Sequence, residues 1–179
     1  KKVHLMDSYE QFNEQLKTAA EAFKQIDKKE VIRLISHLDA DGISACAIMI
    51  KLLNNDNRKY SVSIVQQLNK DVLKQLAAEP YNCFIFTDIG SGVVSDVKEL
   101  LKGRKVFVLD HHSLEETRHA SELVSLAHTS GELGDIVLVN PHIFGIDGGK
   151  EISGAGVVFK FACAVDKSME EFAHIAVVG

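Results

Sequence analysis

The sequence is poor in the residues that punctuate or staple a chain. Its 179 residues hold two prolines, Pro80 and Pro141, which excludes proline-rich recognition tracts and leaves little room for rigid linkers. Tryptophan is absent, and cysteine occurs three times. Cys46, Cys83 and Cys163 lie far apart, each in an apolar segment, and no pair has zinc-finger spacing. A disulfide framework is therefore excluded, and the pattern is that of three reduced core thiols in a cytoplasmic protein. No apolar run reaches the roughly 18 residues that suggest a membrane-spanning helix, and the opening "KKVHLMDSYEQF" is too polar for a signal peptide. The formal net charge of −5 excludes a strongly basic nucleic-acid coat. Any contact with nucleic acid then requires a local basic patch, a bound metal or a further domain. Internal repeats and low-complexity tracts are missing too.

What is present suffices for one domain with a real core, since 46% of the residues are hydrophobic. Phe12, Leu16, Ala20, Phe23 and Ile26 recur at helical spacing and predict an amphipathic N-terminal helix within 1–28. From residue 29 onward, apolar β-branched runs alternate with helical patterns. Strands are predicted over 31–36, 60–67, 81–87, 105–109 and 135–140. Helices are predicted over 42–55, 69–78, 93–102, 154–166 and 168–178. This alternation predicts an α/β fold: an open, mostly parallel β-sheet of about five strands, flanked by helices on both faces. The first residue is not Met, and the last stretch, "AHIAVVG", stops inside an apolar run, as a piece of a longer chain would.

In open α/β sheets, ligands bind beyond the carboxyl ends of the strands. Behind "VIRLIS" come His37, Asp39 and Asp41, then Gly42. Behind "YNCFIFT" comes Asp88, and behind "KVFVL" come Asp110, His111 and His112. Asn140, Pro141 and His142 follow the last strand. Each piece alone has an ordinary account: "DADG" as a turn, "HH" as surface polarity, Asp88 as a helix cap. Together they deliver carboxylates and imidazoles from three strands to one edge. So many carboxylates in one small volume repel unless cations neutralise them. A mixed oxygen and imidazole set suits Mn²⁺ or Mg²⁺, and there are more ligands than one ion needs. Two ions bridged by a carboxylate would use them, and would fit phosphate-ester hydrolysis.

"SHLDADG", "FTDIGSG" and "VLDHH", in this order, resemble the first three motifs of the DHH phosphoesterase family, which includes RecJ-type exonucleases and manganese-dependent inorganic pyrophosphatases. "VNPHIFGIDGGKEISGAGVVFKFA" is similar to the archaeal RecJ-like branch, including its GINS-associated nucleases. The resemblance implies a DHH domain over 29–179. His37, Asp39 and Asp88 would hold one ion, and Asp41, Asp88 and His111 the other, with Asp88 bridging. Asp110 would orient a neighbouring imidazole, and His112 would contact the scissile phosphate. The family's fourth motif, an aspartate in a "G-T-x-x-D"-like segment, and its C-terminal substrate-binding domain are expected beyond residue 179.

The implied activity is RecJ-like exonucleolytic hydrolysis of single-stranded DNA or RNA, with GINS as an expected partner and no membrane involvement. Two alternatives stay open. One is a non-catalytic scaffold, like a eukaryotic helicase subunit of the family that has lost ligands. The other is a phosphoesterase for small molecules or short oligonucleotides. Ser153 and Gly154, opening a helix, would either cradle a backbone phosphate with their amides or simply permit close helix–sheet packing. His142 is balanced between a role at the active edge and none. His4, His119, His128 and His174 are expected to be surface or core residues, and Arg118 and Lys150 solvated cations.

Overall fold

A computed structural model describes residues 2–114, 132–133 and 135–179, with side chains from residue 8 onward except at 132–133. Arg118, His119 and His128 lie outside the described residues, as does the side chain of His4.

The chain runs α1 (Lys2–Lys24), β1 (Val31–His37), α2 (Ala40–Asn55), β2 (Lys59–Val65), α3 (Lys70–Ala78), β3 (Cys83–Thr87), α4 (Val94–Leu100), β4 (Lys105–Leu109), β5 (Glu132–Leu133), β6 (Ile136–Val139), α5 (Gly154–Val165) and α6 (Ala173–Val178). Short 3₁₀ turns precede α4, follow β6 and precede α6. The sheet order is β2-β1-β3-β4-β6-β5. Five strands are parallel, as the sequence predicts, and the two-residue β5 adds an antiparallel edge that the sequence did not announce.

Both faces of the sheet are covered, and the period-2 geometry of strands divides the core accordingly. Ile32, Leu34, Ile85, Phe107 and Val137 face α1, α2 and α5. Ile35, Phe84, Phe86, Val108 and Leu138 face α3 and α4. The N-terminal helix belongs to the first of these cores. Phe12, Leu16 and Phe23 are buried in it, with the Phe23 ring edge-on to Phe161 at 5.7 Å and to Phe107 at 6.1 Å. Gln15 on the same helix donates to the Leu138 carbonyl at 2.7 Å.

Two expectations need correction. The helix over 168–178 is split: Asp166 caps a 3₁₀ turn over Lys167–Phe172 by accepting from the Ser168 amide, which tucks Met169 into the core before α6 begins. Cys46 and Cys83 are buried as expected, but Cys163 is only partly covered, because α5 lies on the outside of the first core and presents one side to solvent.

The topology places the site. β1 connects through α2 to β2 on one side, whereas β3 connects through α4 to β4 on the other, so the crossover direction reverses between β1 and β3. The crevice at such a switch point is where open α/β sheets bind ligands. Ser36 aligns with Thr87, Thr87 with Leu109, and Leu109 with Val139. The next residues, His37, Asp88, Asp110 and Asn140, therefore form a row across the carboxyl edge.

Candidate metal centre

Asp88 stands at the middle of this row. It is fully buried, and its backbone takes a left-handed conformation (φ 57°), which aspartate tolerates better than most residues but which still carries strain. Neither carboxylate oxygen has a hydrogen-bond partner among the described residues. Burial pushes its carboxyl above the ordinary range; proximity to His111 opposes this, and the Asp41 and Asp110 carboxylates reinforce it. A buried, unpartnered carboxylate is costly unless something positive compensates it.

Two groups of ligand atoms meet at Asp88. His37, Asp39 and Asp88 have ligand atoms mutually within 4.8 Å, and so do Asp88, His111 and His112. His37 Nδ1 lies 3.0 Å from Asp39 Oδ2 and 3.6 Å from Asp88 Oδ2, and this buried nitrogen has no hydrogen-bond partner either. Asp39 caps α2 by accepting from the Gly42 amide at 2.9 Å, which leaves its second oxygen facing His37. Its slight burial pulls the carboxyl upward, but the Gly42 amide and His37 outweigh this and hold it below the usual value.

On the other side of Asp88, His111 Nε2 lies 3.2 Å from Asp88 Oδ1 and 3.4 Å from Asp41 Oδ2. His111 Nδ1 is 2.7 Å from the carbonyl of Gly148. Since a carbonyl only accepts, Nδ1 carries the proton and Nε2 faces the carboxylates, as a metal-ligating histidine requires. Burial works against the protonated ring, yet Asp88 and the Gly148 carbonyl push its pKa up to about 9. The same local field favours a cation beside Nε2.

Asp110 is fully buried and accepts from the amides of Ser91 (2.9 Å), His111 (2.8 Å) and His112 (3.2 Å), and from His112 Nδ1 (2.8 Å). Burial alone would raise its carboxyl, but the hydrogen bond from His112 and these amides hold it below the usual range. Asp110 thus holds the half-exposed His112 ring through Nδ1. The Asp110 bond raises the pKa of His112, against its partial burial.

α5 aims its N-terminus at this cluster. The Gly154 and Ala155 amides donate to Asp41 at 2.7 and 2.6 Å, and the Gly156 amide to Ser153 Oγ at 3.2 Å. The anion at this helix end is therefore the Asp41 carboxylate, and these amides are taken up before any phosphate arrives. Close packing operates as well, since a Cβ at Gly154 would collide with the Asp88 carboxylate.

Several residues of the site escaped sequence reasoning. Asn140 is fully buried and ties the edge together, donating to Ser91 Oγ (2.8 Å) and to the His112 carbonyl (2.9 Å); its position behind a strand was the available signal. The role of Gly148 rests on a backbone carbonyl, which no side-chain pattern reveals. His142 joins neither ligand group among the described residues. Lys150 is exposed and paired with Asp147, and His174 is exposed, both as expected.

The residues fit divalent cations: oxygen and imidazole donors only, a shared buried carboxylate without partners, and an imidazole held in the ligating tautomer. The fold and this edge define a class, the open α/β domain with a carboxylate–imidazole centre at its switch point. Residues 31–179 match the DHH family, N-terminal domain, and the chain belongs to the DHH family.

Among curated relatives, an uncharacterized protein of Methanocaldococcus jannaschii is 34% identical over 158 residues, taking in 83% of this chain and 33% of the relative. The single-stranded-DNA-specific exonuclease RecJ of Bacillus subtilis is 25% identical over 185 residues, taking in 97% of this chain and 22% of the relative. The chain thus spans a third or less of the length of these relatives. Among solved structures, RecJ in complex with Mn²⁺ from Thermus thermophilus superposes with a TM-score of 0.67 at 23% identity, over 90% of this chain and 23% of the other. CDC45 from Entamoeba histolytica gives a TM-score of 0.61 at 19% identity, over 90% and 33%. These likenesses show the fold.

Proposed function

We propose that this chain is the catalytic domain of a divalent-metal-dependent phosphodiesterase, a RecJ-like exonuclease acting on single-stranded DNA or RNA. The observation that carries the reading is Asp88, buried without a hydrogen-bond partner where two ligand groups meet. His37, Asp39 and Asp88 would hold one Mn²⁺ or Mg²⁺; Asp88 and His111 would hold the other, with Asp41 joining them from 3.4 Å beside His111 Nε2. The bound cations supply Lewis-acid activation of water and neutralise charge on the phosphoryl oxygens. Asp41, anchored on α5, fixes the spacing between the helix and the second site. His112 presents Nε2 to a non-bridging phosphoryl oxygen, and Asp110 keeps that ring oriented and favours its protonated, donating form. The Gly154 and Ala155 amides hold Asp41, Gly154 backs Asp88, and Ser153 acts by capping α5.

The support beyond geometry is the family membership together with the similarity to the Bacillus subtilis exonuclease. The scaffold alternative is disfavoured because His37, Asp39, Asp41, Asp88, Asp110, His111 and His112 all converge on one crevice, which a purely structural role does not require. Association with GINS rests on the resemblance of the segment from Val139 to Ala162 to the archaeal branch, and the protein is proposed to work in the cytoplasm. Among the described residues, no helix is long and apolar enough to cross a membrane.

The test is hydrolysis by the full-length protein of a long labelled single strand and of a dinucleotide, with Mn²⁺, with Mg²⁺ and with chelator. Processive loss of the long strand only with metal, abolished by Asp88→Ala, is expected. Metal-independent turnover, or turnover unchanged in Asp88→Ala, overturns the reading. Preference for the dinucleotide selects the small-substrate alternative. Capture of GINS subunits by the same protein tests the partner.

A further inference from the structure

From the Asp88–His112 edge a groove of about 280 Å³ runs toward the α3–α4 side of the sheet. At one end stand His37, Asp88, Asp110 and His112. The other end is made by Gln66, Gln67 and Leu68, which follow β2, and by Ile89, Gly92 and Val93, which follow β3. None of the proposed ligand or phosphate contacts explains this second end.

Its chemistry is specific. No lysine or arginine lines the groove among the described residues, so nothing at the far end would hold a second phosphate against the carboxylates of Asp88 and Asp110. Leu68 is buried, and Ile89 and Val93 pack partly buried on the core beneath α3 and α4, giving a fixed apolar wall. Gln66 and Gln67 are exposed, and each carboxamide offers both donors and acceptors. Apolar walls with a few polar groups at one rim suit a flat, uncharged, hydrogen-bonding ring. The volume of about 280 Å³ falls just below the range of about 300–1,000 Å³ usual for ligand pockets, which suits one base and not a run of stacked bases.

We infer that this groove is a nucleoside subsite: it takes the base of the nucleotide whose phosphate lies over Asp88 and His112, with Leu68, Ile89 and Val93 against its face and Gln66 and Gln67 at its edge. The inference rests on the phosphodiesterase reading and deepens it, assigning discrimination between nucleotides and simple phosphate esters to residues outside the metal ligands. Paired carboxamides hydrogen-bond several base edges, so the subsite recognises a base without selecting one strongly.

Gly92 supplies a clean variant. It borders the groove, its φ lies outside the left-handed region, and a Cβ there meets only the Ser113 carbonyl at 4.0 Å. Gly92→Leu adds a bulky side chain at the border of the groove without a Cβ clash. The experiment is calorimetric titration of the Mn²⁺-loaded full-length protein with adenosine 5′-monophosphate and with ribose 5-phosphate. Base contacts of this kind make the nucleotide bind at least about tenfold more tightly than the sugar phosphate. Gly92→Leu is expected to bring the ratio to within about twofold, with Mn²⁺ and ribose 5-phosphate affinities unchanged, and the Gln66→Ala/Gln67→Ala pair to lower the ratio in the same sense. Equal affinity of the two ligands for the unaltered protein, or a ratio that survives both variants, overturns the subsite and leaves the phosphodiesterase reading standing. Failure of both ligands to bind the Mn²⁺-loaded protein overturns the two together.

Discussion

The carbonyl oxygen of Gly148 stands 2.7 Å from Nδ1 of His111, and this contact decides which imidazole nitrogen faces Asp88. The carbonyl gets there because Gly148 has no side chain: a Cβ would collide with the His111 carbonyl. Gly148→Ala must move the loop and free the ring. Loss of an orienting partner of this type costs about 10–100-fold in metal affinity. Titration of the variant with Mn²⁺ should show that loss while its metal-free circular dichroism matches the unaltered protein. Unchanged affinity would mean that the ring is oriented by something else.

Asp88 opposes folding in the absence of a cation. Its folded-state carboxyl is raised above the unfolded value, so the fold loses stability as pH rises through that folded value, and at neutral pH the charged form is a burden. Asp88→Asn keeps the shape and tolerates the positive φ while removing the charge. The metal-free melting temperature should rise by about 2–4 °C, the equivalent of roughly 1 kcal/mol in a domain of this size. At an Mn²⁺ concentration of about 100 times its dissociation constant, the unaltered protein should gain about 2.7 kcal/mol, and the variant nothing. Differential scanning calorimetry measures both. A variant that melts lower without metal and still responds to it would contradict this assignment.

The N-terminal helix is a structural part of the domain. Phe23 is fully buried between Phe107 and Phe161, so Phe23→Ala leaves a cavity in the main core and should cost about 3–5 kcal/mol in chemical denaturation. A loss below about 1 kcal/mol would show that the helix is a loosely attached appendage rather than a core element.

Thiol reactivity should follow burial. Burial pushes the Cys46 thiol up to about 11 and the Cys83 thiol up to about 12, and the thiolate is the reactive form. Cys163 is also raised by burial, but it is partly accessible. A chromogenic disulfide reagent at neutral pH should label Cys163 alone in the native protein and all three thiols after unfolding. Rapid native labelling of Cys83 would show that β3 is not covered as described.

The layout of the sheet, and the edge that gathers the candidate residues, were legible in the sequence for one physical reason. Parallel strands buried on both faces read as apolar β-branched runs, and whatever follows each run arrives at one common edge. His37, Asp88 and Asp110 could be placed in a row on that ground alone. The occupant of the α5 N-terminus could not. "SGAG" announces a helix start with free amides, but that Asp41 claims them depends on two segments more than a hundred residues apart meeting in space. Gly148 was silent because its contribution is a main-chain carbonyl. Gln66 and Gln67 looked like the polar end of a strand, and only the register of β2 beside β1 brings them to the crevice. Cys163 misled because an apolar helix against one side of a sheet still has an outer face.

The most direct test of the central claim is Mn²⁺ stoichiometry, followed by calorimetry and electron paramagnetic resonance, across single variants of the centre. If Asp88 is shared between two adjacent cation sites, the unaltered full-length protein binds two ions that are magnetically coupled. His37→Ala and His111→Ala each then retain one, and Asp88→Ala loses both together. An Asp88→Ala protein that keeps one site at its original affinity would contradict the account.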